Sequence, residues 1–356
     1  MKFDEIVPQP VICRQSSIAC ALACEKCWFY RYRMGVRLRG VERKDAATLG
    51  KIYHRLQQYG PGEEMATRAW VQGQQRKLMA MVDRGEDLDG NAQRLANMLT
   101  SLYKKAEVMA HIFWEKFPQP PQFKVIGTEI KHTMDFDGLT LGGTIDKLIL
   151  DEKDGNLWIR DHKSTGRPLA VLFGGLAWSI QARLYRILTE DYLVGKWKDD
   201  HPTARGFILD GIITPGIKLC KTDEKNAKEW KCSVEDAYLR RVKDWYRTYE
   251  VKAELEGKRN TKAIDSKAIL FTEPLIPYEL RNALEKMRIL EGYPIHPAYY
   301  HRDVTRSACF AYQKRCIYHD LCETDPNQWD SLFETKYQIK PAEVQEDETD
   351  NEDITL

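Results

Sequence analysis

The sequence predicts a mixed α/β protein, and three observations lead to that prediction. Helical patterns fill residues 14–117, and β-type alternation replaces them from residue 122. The turn sequences "DG" and "DEKDGN" separate three β-type segments, as antiparallel hairpins require. An amphipathic helix and another apolar strand follow. We therefore expect helices, then a β-meander, then a helix and a strand, giving a mixed sheet flanked by helices.

The N-terminal part is helical. Residues 16–34 start at a Ser cap and form a helix that becomes aromatic and basic, and residues 45–59 form a second helix. From residue 62 to about 117 the sequence is amphipathic and rich in Lys, Glu and Gln. It ends at "FPQPPQ", where the prolines stop the helix.

The β-type segments read "FKVIGTEIKHTMDF", "LTLGGTIDKLILDE" and "NLWIRDHKST". The helix "LAWSIQARLYRILTEDYLVG" and the strand "ARGFILDGIITP" come next. We assign one domain to residues 1–340. Its parts are an N-terminal helical part (14–117), a core (122–216), a charged helical insertion (221–262) and a cysteine-bearing C-terminal segment (277–330).

Composition is that of a water-soluble globular protein, with 43% hydrophobic and 30% charged residues. No run of 18 apolar residues occurs, so we expect no contact with a membrane. The first 17 residues lack an apolar core of signal-peptide length. A cytoplasmic location, in a bacterium or an infected host cell, is the expectation.

Charge is distributed unevenly along the chain. Residues 341–356 contain seven acidic residues and no Lys or Arg after Pro341, which predicts a disordered, solvated tail. The rest of the chain carries all 54 basic residues and 46 of the 53 acidic ones, a net charge of about +8. This is a modest preference for polyanions. A role of the tail as a DNA mimic or partner tag is the alternative.

Two aspartates and a lysine follow apolar stretches of adjacent predicted strands. Asp146 ends "LGGTID" and Asp161 follows "LWIR", and a hairpin joins the two strands. Cross-strand neighbours lie about 5 Å apart, so the two carboxylates can hold one hard divalent cation. Lys163 lies two residues beyond Asp161 and points to the same face. The alternative is a set of solvated residues at strand ends.

Three more polar residues fit such a site. Gln181 and Tyr185 are four apart and therefore share one helix face. His54 is a lone helical histidine whose imidazole would complete a mixed nitrogen and oxygen site for Mg²⁺ or Mn²⁺. The alternatives are an amphipathic helix with polar edges and a structural histidine.

In order, these residues resemble the RecB-like branch of the PD-(D/E)XK nuclease superfamily. The resemblance extends from residue 50 to residue 185. The four matching pieces are "LGKIYH" ending at His54, "GGTID" ending at Asp146, "DHK" at 161–163, and "QARLY" from Gln181 to Tyr185. It implies a restriction-endonuclease-like core with helical insertions.

The resemblance also implies roles. His54, Asp146 and Asp161 would bind the metal, together with the backbone carbonyl of His162. Lys163 would be the catalytic lysine, and Gln181 and Tyr185 would organise the site and the DNA phosphates. Glu129, in "VIGTEIK", is a further candidate acid, although a place on the strand surface is the interpretation that we favour. Asp161 stands where many relatives have Glu.

Nine cysteines in a cytoplasmic chain favour metal binding or burial over disulfides. One subset of this family closes its nuclease domain with a [4Fe-4S] cluster, using one early and three late cysteines. "SSIACALACEKCWFYRY" resembles the early pattern, with Cys24 at the ligand position. Cys20 and Cys27 share its predicted helix face and are substitutes. The late set is Cys309, Cys316 and Cys322, with a first gap of six residues where relatives commonly have two.

Four such thiolates would staple the C-terminal segment to the start of the domain, and structural Zn²⁺ is the alternative metal. Unligated, buried thiols are the other alternative. Cys13, Cys220 and Cys232 fit no set, and we expect them to be structural.

The sequence thus predicts a metal-dependent deoxyribonuclease, specifically an exonuclease on single-stranded DNA or free ends. The resemblance implies recombination, repair or replication in a phage or bacterium. Interleaved aromatic and basic residues in "WFYRYRMGVRLRG" would stack on a single strand, or else bury the aromatics in a helix. No Walker motif occurs, so a helicase or recombination partner would be a separate chain.

Two alternatives remain open. A CRISPR-adaptation nuclease that trims DNA ends has the same fold, although such relatives are usually shorter. A catalytically inactive iron–sulfur protein that binds DNA or a helicase is the non-enzymatic alternative. The complete motif set argues against it.

Overall fold

A five-stranded mixed sheet carries the fold of this computed structural model, and its strands are adjacent in the order in which they occur along the chain. The structure describes residues 9–38, 45–85, 90–197, 202–257, 261–272, 274–302 and 315–339. The acidic tail and Cys309 therefore lie outside the described residues.

The segment before the sheet is helical, as predicted. Its elements are α1 (Gln15–Ala23), α2 (Glu25–Trp28), a π-helix (Phe29–Arg33), β1 (Val36–Leu38), α3 (Asp45–Tyr59), α4 (Glu64–Asp83) and α5 (Asn91–Lys116). The prediction of a single helix over residues 16–34 is wrong in its continuity. The helix breaks at Cys24, whose backbone is extended, and the segment ends as a π-helix.

Three antiparallel strands confirm the predicted meander: β2 (Phe123–Phe136), β3 (Leu139–Asp151) and β4 (Leu157–Thr165). The chain then crosses over through α6 (Leu169–Gly174) and α7 (Ile180–Trp197) to β5 (Ala204–Ile213), which pairs with β4 in parallel. This mixed α/β architecture is the predicted fold class.

The remaining elements are α8 (Lys221–Trp230), α9 (Val234–Leu255), β6 (Ile264–Leu270), α10 (Tyr278–Gly292), α11 (His319–Glu323), α12 (Trp329–Thr335) and β7 (Tyr337–Ile339). The sequence analysis did not predict β6, which pairs antiparallel with β5. It also did not predict the small sheet of β1 and β7. These strands are short, and each forms only by pairing with a strand that is distant in the sequence.

Helices cover both faces of the sheet. Leu148, Ile159 and Leu209 pack with residues of α6 and α7 on one face. Ile212 and Ile264 pack with residues of α3, α5 and α9 on the other face. Because β4 lies between these two layers, its polar residues Arg160, Asp161 and His162 are buried although they point to opposite faces. Polar residues of β4 therefore need partners inside the protein.

A third apolar cluster joins the two ends of the described chain. Trp28, Phe29 and Tyr30 pack with Tyr318 and residues of α12. All four named aromatics are at most 1% exposed. The proposed stacking of this aromatic segment on single-stranded DNA is therefore wrong for Trp28, Phe29 and Tyr30, because their rings form a core.

Among the helices that the structure describes, none combines the length and the apolar character that a membrane span needs.

Gly206 in β5 is a point of close approach. A Cβ there would lie 2.7 Å from Cζ3 of Trp158 and would also collide with the backbone carbonyl of Ile269. We predict that Gly206→Ala lowers the free energy of unfolding by about 1–3 kcal/mol. The matched control is Gly195→Ala in α7, where a Cβ meets nothing within 4 Å. Better helix propensity should make that change neutral or stabilising by up to about 1 kcal/mol. Urea unfolding measures both changes, and a stable Gly206→Ala would contradict the packing described here.

Candidate functional site

The candidate site begins where β3 and β4 separate. Their pairing runs from Leu150 and Leu157 to Lys147 and Arg160, and Asp146 and Asp161 lie one residue further on. Beyond this point β4 remains paired only with β5 among the described strands. The backbone N–H of His162 donates to Oδ2 of Asp146 at 2.9 Å. The end of the ladder thus places both acids at one opening in the sheet, as the hairpin pattern predicted.

Asp161 is fully buried and is held on one side by two donors. Nζ of Lys163 donates to its Oδ1 at 2.9 Å and lies 2.9 Å from its Oδ2. Nε2 of Gln181 donates to Oδ1 at 2.8 Å. Oδ2 accepts no hydrogen bond. The carboxylate is therefore fixed in orientation, and its Oδ2 has the Lys163 ammonium beside it but no hydrogen bond.

Burial and neighbouring charges shift the pKa values of Asp161 and Lys163. Burial, followed by the charge of Asp146, raises the pKa of Asp161. Burial alone would lower the pKa of Lys163, but the neighbouring Asp161 and Asp146 carboxylates raise it above its usual value. Lys163 therefore stays an ammonium at neutral pH.

Tyr185 lies one turn beyond Gln181 on α7. A Cβ on Gly143 would lie 3.0 Å from Cε1 of Tyr185, so the glycine lets α7 approach β3 closely. Burial and then the charge of Asp161 raise the pKa of Tyr185, which keeps its phenol protonated. The structure thus brings together Asp161, Lys163, Gln181 and Tyr185, which sequence reasoning selected from two motifs.

His54 and Glu129 approach Asp146 from its other side. Nδ1 of His54 lies 3.4 Å from Oδ2 of Asp146. One ligand atom each from His54, Glu129 and Asp146 lie within 4.8 Å of one another. The sequence analysis favoured a strand-surface place for Glu129, and the structure brings it to the site. A signal was present in "VIGTEIK", where Gly127 marks an irregularity in β2.

The donor set suits a hard divalent cation. Carboxylate oxygens with one imidazole are ligands that Mg²⁺ and Mn²⁺ accept. The buried Oδ2 of Asp161, which accepts no hydrogen bond, is a further oxygen suited to a cation. His54, Asp146 and Asp161 therefore fit the metal that the sequence predicts. The backbone carbonyl of His162 as a ligand stays a prediction.

The imidazole of His162 lies on the opposite face of β4. Its Nδ1 lies 3.0 Å from Oδ2 of Asp210, and its ring meets that of Phe113 edge to face at 6.1 Å. Burial lowers the pKa of His162 to about 4, against the opposing effect of Asp210. The ring is therefore neutral at pH 7 and belongs to the layer beneath the candidate site.

Asp210 anchors a buried polar network that the sequence analysis missed. Nε of Arg160 donates to its Oδ2 at 2.5 Å, and Oγ of Ser266 donates to its Oδ1 at 2.6 Å. Burial would raise the pKa of Asp210, but His162 and Arg160 hold it below its usual range. The only signal in the sequence was an acid inside the apolar run "FILDGII".

Cys20, Cys27, Cys316 and Cys322 pack against the aromatic cluster. Sγ of Cys20 and Sγ of Cys27 lie 3.4 Å apart, and the Cys27 thiol also forms a hydrogen bond with the Cys316 thiol. Cys24 lies near enough to Cys322 to influence its pKa, which burial raises to about 11. The shared helix face predicted for the early cysteines is wrong, because the helix breaks at Cys24. Cys13 is buried, Cys232 is partly buried and Cys220 is exposed.

Comparison with known proteins identifies the superfamily. The family model for the PD-(D/E)XK nuclease superfamily matches residues 15–323. No curated protein matches the chain. Among solved structures, the crystal structure of protein VC1899 from Vibrio cholerae is similar at 10% sequence identity and a TM-score of 0.17. That similarity covers 63% of this chain and 60% of the other, so the chain spans less than two thirds of that protein.

The network beneath the site generates a stability prediction. Asp210→Ala leaves the buried guanidinium of Arg160 without its carboxylate, so we expect a loss of about 3–5 kcal/mol in unfolding free energy. The control is Glu152→Ala, which removes an exposed acid 3.8 Å from Lys124 and should cost at most about 1 kcal/mol. Equal losses in urea unfolding would show that Asp210 carries no special share of the stability.

Proposed function

Because this chain belongs to the PD-(D/E)XK nuclease superfamily, we propose that it is a Mg²⁺- or Mn²⁺-dependent deoxyribonuclease. The observation that carries the proposal is the buried Asp161 carboxylate, held by Lys163 and Gln181 beside Asp146. An acid buried at this depth with a charged lysine needs a chemical role or a strong structural reason. Phosphodiester hydrolysis supplies the role.

His54, Asp146 and Asp161 would hold the cation, and the peptide of His162 lies against Asp146. When bound, the cation neutralises charge on the scissile phosphate and favours ionisation of the attacking water. The water oxygen forms a bond to phosphorus while the ester P–O bond breaks, and a proton goes to the departing oxygen.

The side chains of the chain then do the positioning. Lys163, kept as an ammonium, offsets the negative charge that grows on the phosphate in the transition state. Gln181 fixes the Asp161 carboxylate in one orientation. Tyr185 remains protonated and can donate a hydrogen bond to a phosphate oxygen. These groups are preorganised before substrate binds, so little free energy is spent on reorienting them during the reaction.

The finer proposal is an exonuclease of the RecB-like branch that acts on single-stranded DNA or free ends in recombination, repair or replication. It rests on the motif order from His54 to Tyr185 and on the net charge of about +8 before the acidic tail. With Trp28, Phe29 and Tyr30 buried, their rings no longer support the preference for a single strand. That preference rests on the resemblance alone.

We also propose that a [4Fe-4S] cluster joins the early and late cysteines, with Zn²⁺ as the alternative. Support comes from hydrogen bonds that link the thiols of Cys20, Cys27 and Cys316, although Cys316 lies almost 300 residues further along the sequence. Thiols without a metal gain little from such crowding, whereas thiolates on a shared metal are held by it. The proposed ligands are Cys24, Cys309, Cys316 and Cys322, with Cys20 or Cys27 as substitutes for Cys24.

Nuclease activity tests the main proposal. Wild-type protein with Mg²⁺ or Mn²⁺ should degrade end-labelled DNA, and Asp161→Ala and Lys163→Ala should each be at least about 100-fold slower. Lys153→Ala and Asp154→Ala, in the exposed turn between β3 and β4, are the controls and should match wild type. EDTA should abolish cleavage.

Undiminished cleavage by both site variants would refute the assignment. Stepwise release of labelled nucleotide distinguishes an exonuclease from an endonuclease, and labels at opposite ends give the polarity. DNA binding without cleavage would instead support the inactive binding protein.

Metal analysis tests the cluster. Protein purified without oxygen should contain about four iron and four sulfide per chain, with broad visible absorption. Cys316→Ser and Cys322→Ser should lose that iron, while Cys220→Ser, at an exposed cysteine outside the group, should retain it. Serine variants at Cys20, Cys24 and Cys27 then identify the early ligand. Zinc in place of iron would select the alternative metal, and protein with neither would refute the proposal.

A further inference from the structure

We infer that Arg55, the residue after His54 in α3, binds a phosphate of the DNA strand close to the phosphate that is attacked. The inference rests on the nuclease activity proposed above and deepens it. Arg55 is assigned to holding the substrate, and the residues around Asp161 are assigned to the reaction itself. Three observations support the assignment: how its guanidinium is held, which partners it has, and where it lies.

Two aromatic rings hold the guanidinium of Arg55. Its Cζ lies 5.3 Å from the ring centroid of Tyr59, one turn further along α3, and 5.0 Å from that of Trp70 in α4. Nη2 also donates to Oη of Tyr59 at 3.1 Å. A cation over an aromatic face is attracted by the electrons of the ring, which restricts the planar guanidinium to one orientation. Arg55 is therefore oriented before any substrate arrives.

The partners of Arg55 differ from those of other arginines. Arg94 pairs with Asp45 at 3.2 Å, and Arg241 pairs with Asp223 at 2.7 Å. Among the residues that the structure describes, no carboxylate pairs with Arg55, and the hydrogen bond from Nη2 is the one that its guanidinium makes. Arginine has five N–H donors and a permanent positive charge. The charge and the remaining donors of the two Nη atoms are therefore left for an anion.

Arg55 lies beside the candidate site on the exposed side of α3. The side chain of His54, which faces Asp146, is 29% exposed, and Tyr59 is 39% exposed. A helix with its side chains is about 10 Å across, so the guanidinium lies within about 10 Å of the His54 imidazole. One DNA strand advances about 3.4 Å per nucleotide along the duplex axis, so a bound strand meets Arg55 within about three nucleotides of the cut.

A phosphate is the anion that fits this group in this place. The guanidinium donates two parallel hydrogen bonds to phosphate oxygens, which fixes both distance and direction. Lys51, one turn earlier on the same face of α3, adds positive charge. Contacts with phosphates set the register of a strand without reading its bases. Arg55 would thus place successive phosphates in register with Asp161 and Lys163 whatever the sequence.

The experiment measures the affinity of the full chain for a fluorescent DNA hairpin with a single-stranded extension, in EDTA so that no strand is cut. Arg55→Ala should weaken binding about tenfold, because a charge-assisted contact is lost. The slope of log Kd against log salt concentration should fall by about one, as for one lost phosphate contact. Arg55→Lys should keep that slope but recover only part of the affinity, because an ammonium does not form two parallel bonds.

Steady-state cleavage with Mg²⁺ gives an independent readout. Arg55→Ala should raise KM about tenfold and change kcat little, because a contact with the unreacting part of the substrate stabilises ground state and transition state alike. The matched control is Arg247→Ala in α9, which removes the same charge from an exposed arginine 3.7 Å from Asp244. Its affinity, salt slope and KM should equal those of wild type.

A second measurement separates phosphate binding from a role of Arg55 in packing α3 against α4. Each phosphate of the DNA is replaced in turn by an uncharged methylphosphonate, and wild type should lose affinity at the contacted positions. In Arg55→Ala one of these positions should no longer matter, because its partner is absent. Arg55→Gln, whose neutral side chain still reaches between the rings, gives the same test if Arg55→Ala does not fold.

The outcomes separate the inference from the proposed function. A packing role predicts a lower Tm with the wild-type salt slope, KM and pattern of methylphosphonate effects. That result would overturn the inference and leave the metal-dependent nuclease intact. Wild-type protein that neither binds nor cleaves DNA would overturn both.

Discussion

A carboxylate buried in the middle of a sheet must be compensated inside the protein, and Asp161 imposes that requirement on its surroundings. Lys163 and Gln181 supply the compensation from β4 and α7. Because β4 is covered on both faces, the same requirement recurs beneath it, where Asp210 is compensated by Arg160 and Ser266. β4 therefore carries acid–base groups towards both helical layers. The position of α7 is tied to this chemistry as well as to apolar packing.

The two helical layers that cover β4 differ in how they hydrogen-bond the acids facing them. The layer with α7 leaves an oxygen of Asp161 without a hydrogen bond, whereas the layer with α3 and α5 satisfies Asp210 with several donors. Hydrogen bonds from Arg160 and Ser266 hold the Asp210 carboxylate in place, whereas an oxygen that accepts no hydrogen bond leaves capacity for a ligand. His162 connects the layers, since its peptide N–H serves Asp146 and its ring lies near Asp210. A single strand thereby separates a structural network from a candidate catalytic one.

Much of the fold could be predicted from the sequence, because the meander has short turns and a clear change of period. Asp146, Asp161, Lys163, Gln181 and Tyr185 could be selected because each lies at a fixed spacing within one motif. Glu129 could not be placed with confidence in the site, since an irregular strand and a positive φ decide where it points. Asp210 was missed because its partners, Arg160 and Ser266, come from other strands.

The prediction that the aromatic N-terminal segment stacks on DNA was wrong for a related reason. Alternating Arg and aromatic residues are compatible with a DNA-stacking surface and with a buried helix, and sequence periodicity does not distinguish them. The partners that decide the matter, Tyr318 and Trp329, lie almost 300 residues away.

The pairing of β1 with β7 also sets an order for synthesis on the ribosome. Val36 meets Ile339, and Oη of Tyr318 donates to the carbonyl of Val36, so these contacts form only after residues 318–339 have been synthesised. Residues 54–185, which hold the candidate metal site, emerge much earlier. Until residues 318–339 emerge, Trp28, Phe29 and Tyr30 lack the cover of Tyr318 and Trp329. Closing so long a loop is entropically costly and slow, and exposed aromatics in the interval attract chaperones or neighbouring nascent chains.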